Sequence, residues 1–171
     1  ALARTMKKDL TSAKNQKEED NATLKSAKTA NKKAVSTKKK ADSKVKSTSR
    51  KLLKTKLTDS QKKKIKSGQK IDTSKLKGVK KKRANAYNKA LDAQTKANKN
   101  AKSTKTALST AQSNYNSSKS TYNSMKSNVN EALATYDSGN ALSYMNALVD
   151  QQVSGKKSEL KARKKAVEQA N

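Results

Sequence analysis

The chain has 171 residues, with 42 Lys or Arg against 13 Asp or Glu, and a net charge of +29. Only 31% of the residues are hydrophobic and 3% are aromatic, which is too little apolar material for a large globular core. Because Cys and His are absent, disulfides, thiolate metal sites and histidine bases are excluded. We therefore expect no cofactor, no metal site and no enzymatic activity. Proline is also absent, which suits long uninterrupted helices.

Residues 1–57 are predicted to form a first long helix. Two columns of apolar or small residues recur there at seven-residue steps and lie three residues apart, as in a coiled-coil seam. One column is Ala3, Leu10, Lys17, Leu24, Asn31, Lys38, Val45 and Leu52, and the other is Met6, Ala13, Asp20, Ala27, Ala34, Ala41, Thr48 and Thr55. Several positions are polar, and the flanks are rich in lysine, so this helix needs a partner surface.

Residues 58–78, called the apex below, combine helix-capping residues with two glycines. Thr58, Asp59 and Ser60 predict the start of a short helix through Ile65, and Gly68 is placed to end it. A second capping cluster spans 72–74, and Gly78 follows it. The small apolar set around the apex is Ile65, Ile71, Leu76 and Val79.

Residues 79–137 are predicted to form a second long helix, with the clearest heptad pattern in the chain. Large residues recur in one column and small residues in the column three positions further on, so two helices can approach closely. The predicted helix-seam residues are Tyr87, Leu108, Tyr115, Tyr122, Met125, Val129 and Tyr136. A tyrosine column could also stack nucleic-acid bases, but heptad spacing beside alanines favours a helix seam.

Residues 138–171 are predicted to form a third, shorter helix. The fold class is therefore all-α, with long coiled-coil-like helices in an antiparallel helical hairpin. A single extended multi-stranded coil would satisfy the same heptads, and the turn signals near the middle of the chain favour the hairpin. No apolar run approaches the roughly 20 residues that cross a bilayer, so we expect no membrane span. Because the chain begins at Ala1, we expect a processed product or a segment of a longer protein.

Lysine runs are the candidate contacts to a polyanion, although a solvated face is the simpler interpretation. The residues concerned are Lys62, Lys63, Lys64, Lys80, Lys81, Lys82 and Arg83. Only four of the 42 basic residues are arginine, so contact with DNA would be sequence-independent and salt-dependent. The glycines do not have phosphate-loop spacing. The acidic residues 18–20 are expected to pair with neighbours such as Lys14 and Lys25.

The stretch 65–97 resembles segments of tape measure proteins from long-tailed phages of Gram-positive hosts. In those proteins a lysine-rich helix ends in a G-K-x-I/V-x-T-S-x-L-x-G turn and resumes with a Tyr-Asn pair. The matching residues here are Gly68, Lys70, Ile71, Thr73, Ser74, Leu76, Gly78, Tyr87 and Asn88. The close match covers about a fifth of the chain, and the helical, lysine-rich composition extends it loosely.

The resemblance implies a structural virion protein, a segment of a tape measure protein that sets tail length and occupies the tail tube. Its implied location is the virion tail interior, and the host cytoplasm during assembly. Its implied partners are further copies of itself or tail subunits, with non-specific contact to DNA or an acidic surface. The alternative function is a lysine-rich helical module that binds DNA or an anionic cell-wall polymer through net charge.

Overall fold

The computed structural model describes residues 2–134 together with 149, 150, 161 and 163. It contains helix α1 (Leu2–Leu53), helix α2 (Asp59–Lys66) and helix α3 (Gly78–Ala134). No strand occurs in the described residues, so the all-α prediction is confirmed. Of the predicted third helix, only the four isolated positions are described, and their backbone is helical. The rest of 138–171 lies outside the described residues.

The chain divides into two compact units, residues 29–105 and residues 1–28 with 106–171. Helices α1 and α3 pack antiparallel in each. In the first unit Thr104 donates a hydrogen bond to Asn31 (3.3 Å). In the second, Met6 packs with Ala132, and Ala13 packs with Met125. The predicted helical hairpin is confirmed, and the extended multi-stranded coil is not the arrangement adopted.

Small side chains occupy many of the buried positions between α1 and α3. The buried residues at the seven-residue steps of α1 are Met6, Ala13, Asp20, Leu24, Ala34, Thr48 and Leu52, and those at the seven-residue steps of α3 are Tyr87, Ala90, Ala97, Ala111, Ser118, Met125 and Ala132. The remaining predicted seam residues Leu108, Tyr115, Tyr122 and Val129 are half-buried, and Tyr136 lies outside the described residues. Alanine and serine therefore let the backbones approach, while larger residues pack beside them.

Helix α1 ends at Leu53, earlier than the predicted boundary at residue 57. Both the backbone N–H and the hydroxyl of Thr55 donate to the carbonyl of Leu52, at 3.0 and 2.7 Å. These bonds close the last turn locally and satisfy a carbonyl that has no partner within the helix. The second long helix, predicted for 79–137, begins at Gly78 and is described through Ala134.

Helix α2 is capped at both ends by its own sequence. The hydroxyl of Thr58 accepts the N–H of Gln61 (3.1 Å), and the Gln61 side chain accepts the N–H of Thr58 (2.9 Å). This reciprocal pair is a capping box. At the other end, the backbone N–H of Gln69 donates to the carbonyl of Lys64 (2.8 Å), and the N–H of Gly68 donates to the carbonyl of Ile65 (3.1 Å). These two bonds define a Schellman motif.

Gly68→Ala should lower the free energy of unfolding by about 1 kcal/mol, the usual cost of the left-handed conformation for a residue with a Cβ. Gly68 has φ +75° and no atom within 4 Å of an added Cβ, so backbone strain alone would act. Urea denaturation measures the change. The control is Ser47→Ala on the exposed face of α1, which should not destabilise the protein. Equal stability of both variants would contradict the assignment.

Candidate functional site

The largest apolar cluster of the first unit lies at the apex, where three helices and a loop meet. Its buried members are Leu52, Ile65, Ile71, Ala84, Tyr87 and Leu91, and the partly buried residues packed against them are Val45, Leu53, Leu57 and Leu76. Three of the four apolar residues noted around the apex belong to it. The fourth, Val79, is 62% exposed in the first turn of α3. The cluster fixes α2 and the following loop on the ends of the long helices.

Tyr87 joins α3 to the end of α2. Its ring is fully buried, and its hydroxyl lies 2.8 Å from the carbonyl oxygen of Gln69 and 3.3 Å from that of Ile65. The phenol therefore meets carbonyls at the end of α2, while the ring fills the apolar cluster. Burial raises the pKa of the Tyr87 phenol above its ordinary value, because the phenolate would lose its hydration.

Asn88 fixes the loop that follows α2. Its amide group donates to the carbonyl of Ile71 (2.8 Å), and its amide oxygen accepts the N–H of the same residue (3.1 Å). Both polar groups of one backbone residue are thus satisfied by one side chain, which holds Ile71 in the cluster. Nearby, Lys70 and Asp92 form an ion pair with both side chains exposed, which contributes little stability in water.

The second capping cluster forms a turn instead of starting a helix. The carboxylate of Asp72 accepts the N–H of Ser74 (3.0 Å), which is an Asx turn. This backbone hydrogen bond lowers the pKa of the Asp72 carboxyl, since it favours the charged form. Helix α3 begins only at Gly78, which has φ +64°. The loop therefore carries an extra turn between α2 and α3.

The candidate polyanion contacts differ in their surroundings. Arg83 donates to the carbonyl of Lys51 at the end of α1 (3.0 Å), so it helps to satisfy the negative end of that helix. Lys80 is half-buried. The exposed members of the set are Lys62, Lys63, Lys64, Lys81 and Lys82. The basic run at the start of α3 thus combines a structural arginine with solvent-facing lysines.

Several polar residues are buried in the unit formed by residues 1–28 with 106–171. Asp20 is fully buried and accepts a hydrogen bond from Gln16 (3.0 Å). The guanidinium of Arg163 donates to the hydroxyl of Thr121 (3.2 Å). Burial lowers the pKa of Arg163, and the negative charge of Asp20 opposes that shift.

Lys17, which interrupts the apolar column of α1, lies over an aromatic ring of α3. Its ammonium lies 5.0 Å from the centre of the Tyr122 ring, within cation–π range. In the unit formed by 29–105, Gln94 donates to Asp42 (2.9 Å) across the two long helices. Two polar interruptions of the α1 heptads, Lys17 and Asn31, therefore lie against an aromatic or polar group on α3. Sequence periodicity could locate these interruptions, but it could not name their partners.

Within the described residues there is no group of three Asp or Glu side chains that could hold a metal ion. No helix in that part of the chain is long and apolar enough to cross a membrane. Gly68, Ile71, Tyr87 and Asn88 come together at the apex, where each has a role in the backbone or the core.

Comparison with protein-family models, with curated proteins and with solved structures gives no match. The chain is therefore defined by its architecture, an all-α helical hairpin closed by a capped apex.

Tyr87→Phe should lower the free energy of unfolding by about 1 kcal/mol, because the carbonyl of Gln69 loses the hydroxyl donor of Tyr87. Tyr115→Phe is the matched control, since Tyr115 is half-buried on the same helix and its hydroxyl has no hydrogen bond in the described residues. Chemical denaturation compares the two variants. If they lose equal stability, the Tyr87 hydroxyl does not anchor the apex.

Alkaline titration should reveal one late-ionising tyrosine that Tyr87→Phe removes. The pKa of Tyr87 is raised above 10.0 in the folded protein, so folding favours the neutral phenol. The contribution of the neutral Tyr87 phenol to the free energy of unfolding is complete below pH 10 and is lost as pH rises through the folded-state pKa. Absorbance of tyrosinate measures the effect. Persistence of the late component in Tyr87→Phe would contradict the assignment.

Proposed function

We propose that this chain is a structural segment of a phage tail tape measure protein. The observation that carries the proposal is the apex, where residues of the tape-measure-like motif connect helix ends to loop backbone. Gly68 makes the turn, Tyr87 reaches the carbonyls at the end of α2, and Asn88 holds Ile71. The motif residues thus stabilise the connection between the helices. A protein that determines length needs such a fixed helical arrangement.

The contacts along the long helices support the same proposal. Polar side chains in the described seam bond from one long helix to the other, as Gln94 does with Asp42 and Thr104 with Asn31. Such contacts define how α1 and α3 align. Each helical residue contributes a fixed rise of about 1.5 Å, so the number of residues translates directly into length. A helical protein in a tail tube would set tail length in this way.

The experiment is a paired deletion in the phage that encodes the chain. Removing 35–41 from α1 and the facing 94–100 from α3 takes one heptad from each helix and preserves the frame of both. If the hairpin persists in the tail, the seven lost positions shorten it by about 10 Å. If the chain is extended there, fourteen positions shorten the tail by about 21 Å. Averaged electron micrographs measure tail length.

Deleting 35–41 alone is the control, since it removes one heptad from only one of two paired helices. We expect the facing residues to lose their partners and few tails to assemble. Tails of unchanged length that contain the doubly shortened chain would overturn the proposal.

A further inference from the structure

The exposed face of α2 carries a compact group of lysines. Lys62, Lys63 and Lys66 line a shallow surface depression, together with Asp59 and Ser67. All three lysines are exposed, and none of them forms an ion pair or hydrogen bond through its side chain in the described part of the chain. Residues three and four apart on a helix lie about 5–6 Å apart at Cβ, so their charges repel one another.

We propose that this lysine face binds the phosphate backbone of double-stranded DNA without reading its sequence. Duplex DNA carries about one negative charge per 1.7 Å, so neighbouring phosphates can neutralise several lysines at once. Lysine supplies a point charge without the bidentate geometry that distinguishes bases. This role goes beyond the structural function proposed above, and either one can fail without the other.

The surroundings of α2 favour this face over the other lysine groups. On α1, the exposed residues Lys39, Lys40 and Lys44 line a comparable depression with Ser43 and Ser47. Helix α2 is capped at both ends and held by buried Ile65, so its lysines project from a fixed element. A rigid helix face suits a stiff duplex, whose phosphates keep a regular spacing.

Lysines at the end of α2 also have a purely structural explanation. Basic side chains in the last turn interact favourably with the negative end of a helix, and Lys63, Lys64 and Lys66 are so placed. This effect would make their replacement destabilising without changing how the protein responds to DNA and salt. A salt titration of DNA affinity therefore separates the two roles.

The test measures binding of the full chain to a short mixed-sequence duplex by fluorescence anisotropy over a range of salt concentrations. The variant Lys62→Gln/Lys63→Gln/Lys66→Gln should bind more weakly, and its log–log salt dependence should fall by about 3, or 0.9 for each lost phosphate contact. The control Lys39→Gln/Lys40→Gln/Lys44→Gln removes the same charge from α1 and should change the slope by less than about 1. Glutamine matches lysine in helix propensity, and circular dichroism checks helix content.

A third variant, Lys62→Arg/Lys63→Arg/Lys66→Arg, retains the charge and should keep the salt dependence of the original chain. Equal losses in the two glutamine variants would mean that net charge alone binds DNA, and would overturn the proposal. Wild-type protein that shows no salt-dependent DNA binding would also overturn it. So would tighter binding to poly(glycerol phosphate) than to the duplex, because a cell-wall polymer would then be the better partner.

Discussion

The fold depends on holding two lysine-rich helices together with very little apolar surface. A net charge of +29 opposes compaction, and the buried positions between α1 and α3 are mainly alanine, serine and other small residues. Small side chains bury little area, so each layer of the seam contributes modestly. The apex differs, because leucine, isoleucine and tyrosine side chains are concentrated there. Alignment of the helices therefore depends strongly on a short stretch at their joined ends.

Polar contacts complement this thin seam instead of weakening it. Asp20 would be costly if it were buried alone, but Gln16 and the charge of Arg163 lie close to it. Lys17 lies over an aromatic ring, so its place in an apolar column is compatible with packing. A contact between the two helices, such as that of Lys17 with Tyr122, contributes less to net stability than to specificity, since a shifted alignment would separate the two groups.

The sequence allowed the helices and much of the seam to be predicted, because heptad spacing is a local property of the chain. It also located the capping residues of α2 and the role of Gly68. Several contacts escaped prediction, among them Arg83 to the carbonyl of Lys51 and Asn88 to the backbone of Ile71. These contacts depend on loop conformation, for which no periodic signal exists. The exposure of Val79 escaped notice for the same reason, because the orientation of the first turn of α3 sets it.

The sequence separation of these contacts bears on how the chain reaches its fold. The bonds of Asn88 to Ile71 span 17 residues, whereas the bond between Thr104 and Asn31 spans 73. Closing the longer loop from an unfolded chain costs about 1 kcal/mol more in entropy than closing the shorter one. Once the contacts of Asn88 and Tyr87 have formed, each further contact between α1 and α3 closes only a short additional loop. We therefore expect the helices to zip outward from their joined ends, with the most distant residues pairing last.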